Sequence, residues 1–86
     1  MEHSFIGVYG TITEIIPLRS TDCGNMLSLD TQEGIVNIVV TEETCISDNI
    51  TLMPGMQIAA FYDANAPMLL IYPPQYNALI IEKIKL

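Results

Sequence analysis

The sequence predicts an all-β fold: a five-stranded Greek-key barrel in a single domain over residues 1–86, with at most a short helix between the third and fourth strands. Three observations carry this expectation. Helical periodicity is nearly absent, whereas short β-branched runs broken by Gly, Pro, Asn and Asp recur at regular spacing. The first run, Phe5 to Ile16, is about twice the usual strand length of 5–6 residues. Gly7 and Gly10 interrupt that run, and glycine inside a strand pattern marks a bulge or a sharp bend. A long strand bent in this way can serve two sheets, which is how a small barrel closes.

In the first strand Ile6, Val8, Ile12 and Ile16 share one parity. Pro17 to Asn25 is a polar connection ending in a Gly-Asn turn signal. "MLSLD" places Leu27 and Leu29 on one face, and "IVNIVVT" places Val36, Ile38 and Val40 on one face with Asn37 on the other. "TQEG", Thr31 to Gly34, is a turn of hairpin size between them. In Thr41 to Asn49, Thr41 is expected to N-cap one helical turn, whose positive end suits the carboxylates of Glu42 and Glu43. "LMPGM" is a further turn. "MQIAAFY" forms the fourth strand, with Met56, Ile58, Ala60 and Tyr62 in phase, and "ALIIEKIKL" forms the fifth.

Composition excludes several functions. Ten carboxylates face three basic residues, Arg19, Lys83 and Lys85, for a formal charge of −7. Binders of nucleic acid neutralise phosphates with Lys and Arg; this chain has few to offer, and its own field repels polyanions and anionic membranes. The apolar runs fall far short of the roughly 20 residues that span a bilayer. "MEHSF" lacks the basic region and apolar segment of a signal peptide, so a cytoplasmic location is expected, or an extracellular one for a domain excised from a longer secreted protein. Cys23 and Cys45 form no CxxC, and His3 is the only histidine. A zinc site needs closely spaced ligand pairs, so no metal and no cofactor is expected. The two cysteines read as reduced thiols, although spacing alone does not decide whether they pair.

The stretches "GVYGTITEI", "MLSLDTQEGIVNIVV" and "LMPGMQIAAFY" resemble the rhythm of OB-fold domains over most of the chain. More specifically, "FYDANAPMLLIYPPQYNALII" resembles small, poorly characterised β-barrel domains of Gram-positive bacteria. In those a "PPQ" triplet, here Pro73, Pro74 and Gln75, precedes the last strand. The resemblance implies an OB-like barrel and no particular activity.

OB barrels bind ligands on the face of their second and third strands, framed by the first-to-second and fourth-to-fifth strand loops. Here those loops are Pro17–Asn25 and Asp63–Asn77. The second and third strands carry no aromatic residue, and Arg19 is the only cation in either loop, so the aromatic platforms and basic groove of a single-strand binder are missing. No catalytic motif appears. Glu42 and Glu43 are adjacent rather than paired across a site, and Asp22, Asp30 and Asp48 form no calcium loop. A non-enzymatic protein is expected.

The remaining candidate is the uncharged, proline-rich segment 65–77. Met68, Leu69, Leu70, Ile71, Tyr72, Pro73, Pro74, Gln75 and Tyr76 are expected to form a contact surface for a protein partner or a second copy of the chain, or to fold back as a cap on the barrel. The prolines, Pro67 included, restrict the backbone and remove donors. The alternative is a small-molecule or single-stranded nucleic-acid site on the barrel face, using Arg19, Asn37 and Tyr62 with Tyr76 nearby.

Overall fold

The computed structural model describes residues 4–18, 24–66 and 71–84. These residues form seven strands: β1 (Phe5–Pro17), β2 (Asn25–Thr31), β3 (Gly34–Val40), β4 (Cys45–Ile46), β5 (Gln57–Asp63), β6 (Gln75–Asn77) and β7 (Ile80–Lys83). They belong to one sheet, in the order β4-β7-β5-β1-β2-β3-β6. The all-β class is as expected. The count of five is exceeded by two short strands, β4 and β6, which pair in parallel with β7 and β3. Those two strands end the order unpaired with each other, so the ladders by themselves form a seven-stranded sheet and do not close into a five-stranded barrel.

The sheet is organised around β1. Its first half, Phe5–Thr11, pairs antiparallel with β5, and its second half, Thr11–Pro17, pairs with β2. Thr11 has a partner on both sides, Asp30 and Gln57. The register with β2 then slips between Ile12 and Glu14. A bulge of this kind adds one residue and reverses the faces beyond it. Ile12 is therefore fully buried, Ile15 packs on the core, and Ile16, expected inside from its parity, is exposed.

β2 and β3 follow the predicted alternation. Leu27, Leu29 and Ile38 are fully buried, and Val36 and Val40 nearly so. Thr31 closes the hairpin by donating from Oγ1 to the Gly34 carbonyl at 2.7 Å and accepting from the Glu33 N–H at 3.1 Å. Residues 41–44 form a tight turn instead of a helical one. The Glu43 N–H donates to Thr41 Oγ1, and the Thr41 N–H donates to Thr44 Oγ1. The short helical element lies later, as a 3-10 turn over Ser47–Asn49; the β-leaning Cys45 and Ile46 go to a strand instead.

"LMPGM" folds into a turn with Pro54 second and Gly55 third. Gly55 has φ +93°, which L side chains rarely adopt, and the Met56 N–H donates to the Met53 carbonyl. The turn is fastened to β1 twice: the Gly55 N–H donates to the Ile12 carbonyl at 2.7 Å, and the Ile12 N–H donates to the Met56 carbonyl at 2.8 Å. β5 and β7 then complete the core with Ile58, Ala60 and Ile81. A fully buried aliphatic side chain contributes about 1.5–3 kcal/mol, so the stacked isoleucines and leucines of five strands supply most of the driving force.

Gly10 sits where β1 passes from one ladder to the other. A Cβ there would lie 2.7 Å from the Asp30 carbonyl oxygen and 3.0 Å from Thr31 Cγ2, whereas one at Gly7 would meet ring atoms of Phe61 and the Tyr9 hydroxyl. Backbone cannot swing aside as a ring edge can. Gly10→Ala is thus expected to cost about 1–3 kcal/mol and Gly7→Ala less, as read from urea denaturation midpoints of the two variants.

Candidate functional site

At one end of the core the inward positions of four strands are not fully covered. Ile6 and Val8 of β1, Val36 of β3, Tyr62 of β5 and Tyr76 of β6 line a cleft of about 520 Å³, together with Gly7 and Tyr9. The hairpin turn Thr31–Glu33 forms its rim. Each side chain arrives there through pleat alternation: Tyr62 continues the phase of Ile58 and Ala60, and Tyr76 is in register with Ile38. The two rings stack, with centroids 4.1 Å apart and planes within 10°. That contact joins β5 to β6, which are remote in the sheet order. Burial first, and then the neighbouring Tyr76, hold the Tyr62 phenol above its ordinary pKa.

The segment 65–77 is not one loop. Asp63 Oδ1 accepts from the Asn65 N–H, and the Asp63 carbonyl accepts from the Ala66 N–H, so β5 ends in a tight turn. Met68, Leu69 and Leu70, like Pro67, lie outside the described residues. Ile71 is 48% exposed and Tyr72 is 86% exposed. The Tyr72–Pro73 peptide bond is cis. Pro73, Pro74, Gln75 and Tyr76 are half-buried. The Pro74 carbonyl accepts from the Asn37 N–H at 2.8 Å, and Gln75–Asn77 is strand rather than loop. Two prolines without N–H groups directly ahead of an edge strand suit the start of a strand paired on one side.

The residues of the alternative face are placed only in part. Arg19 lies outside the described residues. Asn37 is half-buried, and its Oδ1 accepts from Ser28 Oγ at 3.3 Å. Tyr62 instead faces the cleft with Tyr76. Lys83, the basic residue among those described, lines a different groove with Met53–Gln57. Cys45 is an exposed free thiol, while Cys23, His3 and Asp22 are outside the described residues. Among the described residues no three His, Cys, Asp or Glu side chains gather as a metal site, and no helix is long and apolar enough to cross a membrane.

Sequence reasoning missed the cleft. Ile6, Val8 and Val36 read as strand faces and Glu33 as a turn residue; of the lining side chains, the sequence points to Tyr62 and Tyr76, as part of the alternative ligand face. No family model matches this chain, and no curated protein matches it.

The Tyr62 phenol should ionise above the ordinary tyrosine pKa. A raised pKa means the folded state keeps the proton longer, so its contribution is complete below the unfolded pKa of about 10 and is lost as pH rises through the folded value. Titration of tyrosinate absorbance should therefore lose a component lying above the ordinary tyrosine pKa in Tyr62→Phe.

Proposed function

We propose that this protein is a non-enzymatic interaction module built on an OB-like barrel. The barrel reading rests on residues 75–83 acting as one bent last strand. The Ala78 N–H donates to the Val39 carbonyl at 3.0 Å, and the Leu79 N–H donates to the Phe61 carbonyl at 2.8 Å. The β3 and β5 ladders thus meet in a single stretch of chain, between β6 and β7. Thr44 Oγ1, donating to the Ala78 carbonyl at 2.8 Å, fastens the same junction from a third side.

The observation that carries the interaction reading is the exposure of Ile71 and Tyr72 directly before the edge strand β6. A large apolar side chain held in water by a following pair of half-buried prolines favours a partner protein or a second copy. Replacing both with serine removes side-chain surface that is largely exposed at Tyr72 and about half exposed at Ile71. Ile71→Ser/Tyr72→Ser is expected to leave unfolding within about 0.5 kcal/mol of the parent while lowering mass in solution, or abolishing cross-linking to the partner. Loss of stability with unchanged mass and cross-linking would instead make the segment a structural cap.

The second reading, a ligand site, is favoured by the cleft at Tyr62 and Tyr76. Its nucleic-acid form is disfavoured by the charge of −7, since phosphate contact depends on cations. Fluorescence anisotropy of labelled single-stranded DNA and RNA at low salt, where attraction is strongest, should show no binding.

A further inference from the structure

The edge of β1 beside the cleft has the hydrogen-bonding pattern of an unfinished sheet. The Ser4 carbonyl accepts from the Ala64 N–H at 2.9 Å, and the Ile12 N–H donates to the Met56 carbonyl at 2.8 Å. With Ile6 opposite Tyr62, Val8 opposite Ala60 and Gly10 opposite Ile58, the even-numbered residues of β1 are those that exchange main-chain bonds with β5. Phe5, Gly7 and Tyr9 consequently direct their N–H and C=O groups to the other side. β2 occupies that side only from Thr11 onward, having turned away into the Thr31–Gly34 hairpin. Among the described residues no strand other than β5 pairs with β1 from Phe5 to Tyr9.

That open edge, roughly 13 Å long at 3.3 Å per residue, forms one wall of the cleft. An extended chain laid along it would place alternate side chains over Val8, Val36, Tyr62 and Tyr76. Acidic groups stand near it: Glu33 lines the cleft with Tyr9, Asp30 pairs with Thr11 where the edge ends, and Asp63 pairs with Phe5 from the β5 side of the strand. The described basic residue, Lys83, lies in a separate groove.

We propose that this edge accepts an extended peptide of alternating apolar and basic residues, added to the sheet as a further strand on Phe5–Tyr9. Main-chain bonds to Phe5, Gly7 and Tyr9 hold it, the cleft selects its apolar side chains, and the carboxylates select its charge. The site differs from the Ile71–Tyr72 surface and does not depend on it.

The probe is an acetylated, amidated peptide of four Lys-Val repeats, titrated into isotopically labelled full-length protein and followed by amide resonances and hydrogen exchange. Binding should slow exchange at Gly7 and Tyr9 and shift Ile6, Val8 and Val36. The same peptide N-methylated at both its lysines and its valines, or with glutamate for lysine, should bind at least about tenfold more weakly, a loss of about 1.4 kcal/mol. Glu33→Lys, at an exposed turn position, should weaken the lysine peptide several-fold and leave the fold intact. The proposal is overturned by any one of four results: no binding; binding with Gly7 and Tyr9 exchange unchanged; equal affinity of the N-methylated peptide; or a concentration-dependent dimer that protects the same edge without peptide.

Discussion

Everything in this fold depends on β1 belonging to two ladders at once. β1 pairs with β5 over its first half and with β2 over its second, and the passage from one ladder to the other needs a local break in the strand's regularity. The chain resolves this within a few residues. Gly10 allows the Asp30 carbonyl to approach, Thr11 takes partners on both sides, and the bulge after Ile12 resets the faces. The Pro54–Gly55 turn then engages both main-chain groups of Ile12. Tight packing, a turn and a bulge converge on one short segment, and the two halves of the sheet are oriented by it.

The same division of β1 accounts for the cleft. β5 accompanies only the first half of the strand and β2 only the second. Where β2 turns away, one side of β1 and the inner faces of β3, β5 and β6 are left facing a shared space. Tyr62 and Tyr76 partly fill it with a stack that couples strands lying far apart in the sheet order.

The β2–β3 hairpin was fully legible from the sequence, because one face is buried and the turn is local. Leu27, Leu29, Val36 and Ile38 alternate as their burial requires. Beyond Ile12 the alternation misleads, since a bulge carries no consistent side-chain signal; Thr13, with its Oγ1 donating to the Ser28 carbonyl, looks like any strand threonine. β6 was hidden for a different reason. Its partner, β3, is distant in sequence and parallel, so no hairpin signal announces it, and the prolines before it read as loop. Of the candidate site, Tyr62 and Tyr76 are legible as neighbours of a barrel-face site, whereas the β1 edge shows only once the register of both ladders is known.

The stacked tyrosines also make the molecule its own optical gauge. The chain contains no tryptophan, so its near-ultraviolet dichroism comes mainly from tyrosine. Two phenols at 4.1 Å and nearly parallel couple electronically in a way isolated rings do not. One ring stands on β5 and the other on β6, so the coupled signal measures how closely those two strands are held. Any event that pries the cleft open, or draws it tighter, is written into the protein's own spectrum without a label.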